Sequence, residues 1–515
     1  MCTLADGPPP PREGFVTVCE FNSDLHTALA GESDLSKYTP GMQGLVYPKV
    51  TLAVETLSSL AIEEDARSAF LPCNAHISIW KKAWYACKEH GTCGMLEELA
   101  NSKTEASWMV SSIACGCLAA IRWANSLHGS LYPHLVLSSE DMVSVFSPTR
   151  DWQDSAIRAL AWHPHTNKCA VAWKDDVVRV FTANSDVVPT LKHRFQRVVA
   201  FLAWKPLSAS VLAVACQTCI MIWNVDPKSL STRPSASCAQ VLSQNGHGPI
   251  TSLAWDPRGR MLVSASPSDT AMQVWDVPRE TCVTLRRSGG GGVSLLRWSP
   301  DNTKLFTATP SEMFRVWETR TWTCEKWTGL SGRCQAACWS PDSKTLLFCT
   351  ENKPIIYALG FNETGDVIGG ARAAITCGDL SEVTIDCDQQ QISVGGLIQD
   401  LAWDPNGERL AVLFKSTESN NLIALFNTRL EPVLELIPSG FVRGEPGDIP
   451  QLVSFQPNFQ HGSLLTVCWH TGKVSFIPLM YIPTKSLQDN STSPYNYAGA
   501  NTPFSQELFT QNEPR

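Results

Sequence analysis

Short hydrophobic stretches alternate with polar turns along the chain, and one stretch shows this pattern clearly. In residues 252–276, SLAWDPRGRMLVSASPSDTAMQVWD, apolar residues alternate with small or polar ones as they do in half-buried strands. Pro257 and Gly259 interrupt the alternation with a turn, because proline fixes φ and glycine permits unusual backbone angles. The pattern predicts three successive strands, and such a small sheet must bury its second face against a neighbour.

An aromatic residue two positions before a proline recurs with similar surroundings. The seven anchors are separated by 42, 51, 43, 41, 64 and 52 residues. A period of roughly 40–45 residues with occasional longer loops is typical of a four-stranded propeller blade. The repeat therefore predicts an all-β fold, a seven-bladed WD-repeat β-propeller, in which each aromatic packs between two blades. These blade-packing anchors are Trp162, Trp204, Trp255, Trp298, Trp339, Trp403 and Phe455.

The third repeat is the most regular, and four of its residues resemble the WD-repeat signature. His247 precedes the first strand, Ser264 lies in the second, Asp269 in the following turn and Trp275 near the end of the third. In the WD-repeat family such residues form a buried hydrogen-bonded chain that links the strands, and the resemblance implies this structural role here. Ser266 lies on the same strand face and is an alternative to Ser264. The other repeats lack the full set.

The two ends of the repeat array have to meet, because an open array leaves exposed sheet edges. The last repeat ends near residue 481 without a clear fourth strand, and residues 134–146 precede the first repeat. We therefore predict that the propeller spans residues 134–481 and that Met142–Phe146 supplies the outer strand of the seventh blade.

The segments on either side of the ring differ from it in composition. Residues 1–60 are irregular apart from one alternating stretch, GFVTVCEF at 14–21, which fits a sheet edge and a partner-docking strand equally well. Residues 61–133 show helical spacing, and their apolar stripes fit packing on the ring or a partner-binding face. Residues 482–515 are rich in polar residues and proline, which predicts a disordered tail. The partner-binding candidates are four tryptophans of the helical segment, Trp80, Trp84, Trp108 and Trp123.

Charge and cysteine usage narrow the class of protein. The 515 residues carry 41 Lys and Arg against 49 Asp and Glu, which argues against a protein that neutralises nucleic-acid phosphates. The chain opens without a signal-peptide pattern, so its 19 cysteines are expected to be reduced thiols. The most apolar stretch, residues 108–121, is shorter than the roughly 20 residues that a membrane span needs. We therefore expect a buried helix there and no direct membrane span.

Two groups of cysteine and histidine residues are candidate sites of chemistry. Cys216 and Cys219 form a C-x-x-C motif within an apolar strand pair, but no second pair lies at zinc spacing. His163 and His165 fall in the first turn of the ring, where exposure is expected. The glycine-rich SGGGGV at 288–293 precedes a strand rather than a helix, which predicts a blade linker and not a phosphate site. We expect no metal, cofactor, small-molecule substrate or enzymatic activity.

Five longer phrases extend beyond the generic repeat: SLHGSLYPHL at 126–135, AWHPHTNK at 161–168, LAWKPLSASVLAVACQ at 202–217, CWSPD at 338–342 and WDPNGERLAVL at 403–413. They resemble the aladin family of WD-repeat nucleoporins, from about residue 76 to 480. The resemblance implies a non-enzymatic scaffold subunit of the nuclear pore complex, located at the nuclear envelope and supporting nucleocytoplasmic transport of protein and mRNA. It implies other nucleoporins as partners, with a transmembrane nucleoporin as the membrane anchor. A place at spindle poles in mitosis is also implied.

A second class of function stays open, that of a substrate adaptor of a ubiquitin ligase. Many WD-repeat adaptors carry a Trp-Asp-x-Arg pattern after a third strand. Trp317-Glu318-Thr319-Arg320 comes near this pattern, with Glu in place of Asp. A surface arginine after a strand explains the same residues. The chain contains no Phe-Gly dipeptide, so we do not expect it to join the permeability mesh of the pore.

Overall fold

Strands make up most of the chain whose structure is described. The computed structural model describes residues 2–21, 23–32 and 133–481, together with seven helical positions between 95 and 117. Within 133–481 the gaps are 184, 227–228, 230, 288, 290, 362–372, 388–389, 416–420, 432 and 460–461. The predicted disordered tail therefore lies outside the described residues, as do the partner-binding candidates Trp80, Trp84, Trp108 and Trp123.

Each of seven sheets begins with an inner strand that ends on an aromatic anchor. Three strands come before the repeats: β1 (Cys2–Thr3), β2 (Phe15–Phe21) and β3 (Asp24–Leu29). Blade 1 contains β4 (Ile157–Trp162), β5 (Lys168–Trp173), β6 (Val178–Thr182) and β7 (Thr190–Leu191). Blade 2 contains β8 (Phe201–Trp204), β9 (Val211–Ala215), β10 (Ile220–Asn224) and β11 (Ala239–Leu242). Blade 3 contains β12 (Ser252–Trp255), β13 (Leu262–Ala265), β14 (Ala271–Asp276) and β15 (Thr281–Arg286).

The remaining blades carry the additions to the basic repeat. Blade 4 contains β16 (Leu295–Trp298), β17 (Lys304–Ala308), β18 (Met313–Glu318) and β19 (Thr323–Thr328). Blade 5 contains β20 (Cys334–Trp339), β21 (Thr345–Thr350), β22 (Lys353–Gly360) and β23 (Ile375–Asp379), and the hairpin β24 (Val383–Cys387) and β25 (Gln390–Val394) follows it. Blade 6 contains β26 (Ile398–Trp403), β27 (Arg409–Phe414), β28 (Leu422–Arg429) and β29 (Glu435–Arg443). Blade 7 contains β30 (Pro450–Phe455), β31 (Gly462–Trp469) and β32 (Val474–Met480), and its inner strand contacts that of blade 1.

Apolar side chains fill the junctions between the blades. The described residues form seven buried clusters, and each cluster joins side chains of two consecutive blades. Trp204 packs with Ala170 of blade 1, and Trp162 closes the circle by packing with Leu452 of blade 7. Each blade buries its second face only by stacking, so the closed ring is the unit of stability.

The N-terminal strands complete blade 7 at its outer edge. The prediction that Met142–Phe146 supplies the outer strand of blade 7 is wrong, because these residues belong to the helix α1 (Ser139–Phe146). The hydroxyl of Ser138 caps this helix by accepting from the N–H of Asp141, and the acidic Glu140 and Asp141 suit its first turn. Instead β2 pairs in parallel with β32 and β3 pairs with β2, so blade 7 has five strands.

The first described residues form a strap, residues 2–32, that runs along blades 5, 6 and 7. Of the two roles that fit the stretch at 14–21, it adopts pairing at a sheet edge. β1 pairs in parallel with β23 of blade 5, and Leu4 is buried between blades 5 and 6. The hydroxyl of Thr17 accepts from the N–H of Arg443 on blade 6 at 3.1 Å. The irregular segment predicted over residues 1–60 therefore contains an ordered part of the ring.

A buried ion pair fixes the strap to blade 6. Arg409 donates from Nη2 to Oε1 of Glu20 at 2.6 Å and from Nε to Oε2 at 3.0 Å. The two side chains are 5 % and 0 % exposed. The Arg409 guanidinium also lies 4.2 Å from the centroid of the Tyr481 ring. Because arginine presents a planar fork that matches a carboxylate, this contact aligns the strap as well as holding it.

A second feature, the cap, consists of residues 133–155 and precedes β4. It contains the 3₁₀ helix Pro133–Val136 and the helix α1. The other short 3₁₀ helices of the described chain are Leu4–Asp6, Ala236–Cys238 and Val277–Arg279.

Only isolated positions of the predicted helical segment are described. Val110, Ile113 and Cys117 are helical, as the spacing predicts. Ile113 is 63 % exposed and Cys117 is also exposed, so these two do not pack in the core as the stripe suggested. Across the described ranges, no helix combines the length and apolar character needed to cross a membrane.

Candidate interaction surface

The cap lies over the centre of one face of the ring, which is called the capped face. Because neighbouring strands run in opposite directions, the starts of the inner strands and the ends of the second strands share this face. The cap meets this face in six blades, and within one helical turn Val143 packs between blades 2 and 3 while Phe146 contacts Arg333 of blade 5. The ring residues involved, from blade 2 to blade 7, are Val198, Ile250, Gly291, Arg333, Gln399 and Gln451.

Two ring side chains bind the end of the cap helix. Arg333 donates from Nη2 to the carbonyl of Val145 at 2.9 Å, and its guanidinium lies 4.7 Å from the centroid of the Phe146 ring. Gln399 donates from Nε2 to the carbonyl of Ser147 at 3.0 Å. The last carbonyls of a helix have no partner within the helix, so these donors satisfy groups that would otherwise be exposed or unpaired.

The position of Arg333 is fixed by acidic and basic neighbours. Its Nε donates to Oε2 of Glu351 at 2.8 Å, and Lys415 Nζ lies 3.3 Å from Oε1. Burial acts to raise the pKa of Glu351, but the hydrogen bond from Arg333 and the two positive charges outweigh it and lower the pKa. The carboxylate therefore stays ionised and holds the guanidinium in place against the cap.

A cleft of about 450 Å³ lies beside the start of the cap. Pro133 and His134 form one wall, and Glu312 and Met313 of blade 4 contribute to the other. His134 Nε2 lies 3.1 Å from the carbonyl oxygen of Pro267 and 2.9 Å from that of Gly291. The imidazole thus ties the cap to the loops of blades 3 and 4 at the edge of the cleft.

The four residues of the WD-like signature come together in blade 3. The Trp275 indole N–H donates to Ser264 Oγ at 2.9 Å, Ser264 Oγ lies 2.8 Å from His247 Nε2, and His247 Nδ1 lies 2.9 Å from Asp269 Oδ2. The carboxylate only accepts, so Nδ1–H donates to it; in this tautomer Nε2 accepts from the Ser264 hydroxyl, which in turn accepts from the indole N–H. Ser266, the alternative to Ser264, contacts Ser268 instead.

The electrostatics of these four hydrogen-bonded residues favour a structural role. Burial acts to raise the pKa of Asp269, but hydrogen bonds from His247 and from the N–H of Ala271 outweigh it and lower the pKa. The serine hydroxyl donates to the imidazole but is itself fully buried, so no substrate reaches it. In blade 4 one link of the chain persists, since Trp317 donates to Thr307 Oγ1 at 3.1 Å.

The aromatic anchors bind the preceding blade as well as filling space. The indole N–H of Trp204, Trp255, Trp298 and Trp339 each donates to the carbonyl just before the previous anchor, at 3.0–3.2 Å. The other three anchors differ: Trp162 donates to Thr466 of blade 7, Trp403 donates to Thr428 of its own blade, and Phe455 has no N–H. All seven lie in or against the clusters between blades.

The residue before each anchor is partly exposed, as expected for side chains that line a central channel. Arg297 and Cys338 occupy two of these positions, and the other five are small: Ala161, Ala203, Ala254, Ala402 and Ser454. Burial raises the pKa of nearby Asp400 to about 6, although Arg297 opposes the shift. Burial likewise raises the pKa of the Cys338 thiol, which makes it a poor nucleophile at neutral pH.

His163 was expected to be exposed, and this prediction is wrong. Its side chain is 1 % exposed. Nε2 lies 2.9 Å from the carbonyl oxygen of Ser208 on blade 2, and Nδ1 accepts from the backbone N–H groups of His165 and Thr166. These partners require the neutral ring with its proton on Nε2. Burial lowers the pKa of His163 to about 4, and Lys168 adds to the effect. His165 is exposed as expected.

Protonation of His163 is expected to weaken the fold at acidic pH. The folded protein holds the imidazole neutral down to about pH 4, whereas the unfolded chain takes up the proton near pH 6.5. The stabilisation is complete above pH 6.5 and is lost as the pH falls toward 4, and it amounts to about 3 kcal/mol. In urea titrations between pH 7 and pH 4, the deficit of His163→Gln relative to wild type should shrink by this amount. A deficit that stays constant, or an equal trend for His165→Gln, would contradict this expectation.

The other motifs occupy structural positions. Cys216 and Cys219 flank a two-residue turn between β9 and β10, and the Cys216 N–H donates to the Cys219 carbonyl at 3.0 Å. Among the described residues, no group of three or more His, Cys, Asp or Glu is placed to hold a metal ion. The glycine-rich stretch joins β15 to β16, as predicted. Gly292 has a φ of +143°, and a Cβ there would lie 1.9 Å from the carbonyl oxygen of Pro267.

The sequence reasoning missed the contacts that involve the strap and the cap. Glu20 and Arg409 are 389 residues apart, and the one sequence signal for a buried partner was the single charged residue in the strand FVTVCEF. Arg333 and Gln399 belong to no sequence motif, so the sequence gives no sign of their contacts with the cap. The N-capping pattern at Ser138 indicates a helix in the cap. The alternation in MVSVF at 142–146 favoured a strand at the same place.

A family model and two curated proteins are similar to this chain in sequence. A family model, the Aladin seven-bladed propeller, matches residues 138–480. The Aladin protein of Arabidopsis thaliana is 29 % identical over 495 residues, which cover 92 % of this chain and 98 % of that protein. WD repeat-containing protein slp1 of Schizosaccharomyces pombe is 25 % identical over 167 residues, 31 % of each chain. Among solved structures, the Cps50 (Swd1) β-propeller domain of Myceliophteria thermophila has a TM-score of 0.46 and 13 % identity, covering 62 % of this chain and 96 % of that domain.

The predicted seven-bladed β-propeller is therefore confirmed, and so is the resemblance that the five phrases indicated. The matched family model spans well over half of the chain, and the similarity to the Arabidopsis relative covers 92 % of it. On this basis the chain belongs to the aladin family of nucleoporin-type propeller proteins.

Proposed function

We propose that this protein is a non-enzymatic scaffold subunit of the nuclear pore complex, which docks to other nucleoporins and supports nucleocytoplasmic transport of protein and RNA. The observation that carries the proposal is the length of the family similarity, 92 % of this chain and 98 % of the Arabidopsis protein. The uncovered 8 % is shorter than the segment that precedes the ring, so the similarity includes part of that segment as well as the repeat. A generic propeller would share the repeat alone.

The chemistry of the described residues supports binding rather than catalysis. The hydrogen-bonded Ser-His-Asp series of blade 3 is buried, and its serine oxygen accepts a hydrogen bond from the Trp275 indole. The channel thiol has a raised pKa, and the buried His163 is neutral and occupied by backbone partners. Each of these groups stabilises the fold. This is consistent with a rigid ring that binds partners through its edges and flanking segments.

The helical segment is the part that we propose for anchoring, through a transmembrane nucleoporin. Ile113 is 63 % exposed on this segment, so at least one position of its apolar stripe is open to a partner. Trp80, Trp84, Trp108 and Trp123 belong to the same segment, and tryptophan is enriched in the centres of interfaces. Attachment by a protein partner requires no membrane span in this chain. The association with spindle poles stays a prediction of the family resemblance.

Live-cell imaging tests the function and the anchor together. Full-length protein with a fluorescent tag should form a punctate nuclear rim in interphase cells. A variant with the four tryptophans changed to alanine should lose at least half of the rim signal while keeping its expression level and melting temperature. The matched control is Phe195→Ala, which removes one exposed ring, 43 % exposed, from a loop of blade 1 and should leave the rim intact. A deletion starting at residue 1 is unsuitable, because it removes the strap.

The outcomes separate the function from the anchor. Diffuse signal from the folded wild-type protein would contradict the pore scaffold. Stoichiometric co-purification with a ligase adaptor subunit, lost in Arg320→Ala, would favour the ubiquitin ligase alternative, since Arg320 is exposed at the end of blade 4's third strand. A rim that persists in the four-tryptophan variant would be consistent with the scaffold function, but it would show that the anchor lies on the ring or the tail.

A further inference from the structure

The ring recognises the end of the cap helix through its backbone. Arg333 donates to the Val145 carbonyl at 2.9 Å, and Gln399 donates to the carbonyls of Ser147 at 3.0 Å and Pro148 at 3.4 Å. Both donors come from loops or strand ends at the capped face. A contact with a main-chain carbonyl places no demand on the side chain of that residue. The same donors can therefore bind any helix that ends at this point.

The apolar half of the contact has the spacing of a helix in a groove. Met142, Val143 and Phe146 are 4 %, 1 % and 8 % exposed. Residues three and four apart lie on one face of a helix, so the three side chains enter the ring mouth together. Val143 joins the cluster between blades 2 and 3, and the Phe146 ring lies under the Arg333 guanidinium. Amphipathic helices are recognised in grooves by anchors with this spacing.

The cap adds no strand to the sheets of the ring. None of the strand pairings described for the seven blades includes residues 133–155. The helix α1 has eight residues, and isolated helices of that length are not stable in water, so it forms because the groove binds it. On its outer side Val145 is 40 % exposed. The cap thus has the properties of a bound ligand that is covalently tethered to its receptor.

We propose that the mouth of the ring on the capped face is a binding site for a short amphipathic helix of a partner protein, and that residues 139–148 occupy this site in cis. The partner helix presents two apolar residues three positions apart, the second of them aromatic. It ends directly after the aromatic residue, so that its last carbonyls meet Arg333 and Gln399. A short tether gives the cis segment an effective concentration on the order of millimolar, so a partner competes only when the cap is weakened or its own affinity is high.

A labelled peptide tests the site on the full-length protein. The probe is a fluorescein-labelled peptide with the sequence of residues 136–150, and binding is followed by fluorescence anisotropy. Wild-type protein should bind it weakly, because the cis segment fills the mouth. Phe146→Ala removes the main apolar anchor from the cis segment only, and this variant should bind the peptide at least tenfold more tightly than wild type does. A peptide with the same Phe146→Ala change is the matched control and should not bind.

A second variant shows where the peptide binds. Adding Arg333→Ala to Phe146→Ala should weaken peptide binding at least tenfold, whereas adding Phe195→Ala, on an exposed loop of blade 1, should leave it unchanged. Circular dichroism and thermal melts establish that each variant is folded, and Val143→Ala replaces Phe146→Ala if the latter unfolds. Failure of a folded, cap-weakened variant to bind the peptide would overturn the proposal. Equal binding by the Arg333→Ala double variant would do the same.

Discussion

Replacing Glu20 by alanine is expected to destabilise the ring by about 3–5 kcal/mol, because the change leaves the Arg409 guanidinium buried without its partner. The carboxylate is fully buried and accepts three contacts of 2.6–3.0 Å from that guanidinium. The loss should be measured as the free energy of unfolding in urea. Since Glu20 belongs to the strap, the variant should also expose β2 to proteolysis earlier than wild type.

Two further substitutions isolate the ion pair. Asp24→Ala changes an exposed acidic residue at the start of the next strand and should alter stability by no more than about 0.5 kcal/mol. Combining Glu20→Met with Arg409→Leu replaces the charges by apolar groups and should recover most of the loss, as at other buried pairs. If Glu20→Ala costs no more than Asp24→Ala, the strap does not hold the ring as the contact indicates.

Replacing Trp255 by alanine is expected to cost about 3–5 kcal/mol, because it opens a cavity between blades 2 and 3. The side chain is 6 % exposed and packs in the cluster that also contains Trp275 and Ile250. Its indole N–H donates to the carbonyl of Ala203 at 3.2 Å. Thermal melts and urea titrations should both report the loss.

A conservative change separates volume from hydrogen bonding. Trp255→Phe keeps most of the apolar volume and removes the donor, so it should cost much less, of the order of 1–2 kcal/mol. Phe195→Ala removes an exposed aromatic ring and should be nearly neutral. A cost for Trp255→Ala within the range of Phe195→Ala would show that the anchors do not carry the stacking of the blades.

The repeat could be predicted from sequence because its signals are local. Each anchor lies two residues before its turn proline, and the strands of a blade are short and joined by short turns, so a window of about forty residues contains one complete blade. The same holds for the chain from His247 to Trp275, which spans 29 residues within a single blade. For these features the pattern and the structure agree because the interacting residues are close in sequence.

Closure of the ring could not be predicted in this way, because it depends on competition between distant segments. Met142–Phe146 and Phe15–Phe21 both alternate, and the sequence alone does not rank them as partners for β32. The capping serine and acidic first turn before Met142 favour a helix, while the lone Glu20 finds a charge partner only in the folded ring. The pairing of β2 with β32 and the buried ion pair between Glu20 and Arg409 determine which segment completes blade 7.

The strap also determines when the ring can be completed during synthesis. Residues 15–21 leave the ribosome early, but their partner strand at 474–480 is made roughly 450 residues later. At about 5–20 residues per second, this strand waits roughly 25–90 s for its partner. Six blades can stack during that interval, whereas blade 7 and the pairing of the strap come last. A chain that ends before residue 474 therefore leaves both the first and the last parts of the ring without partners, and exposes two sheet edges to the quality-control machinery of the cell.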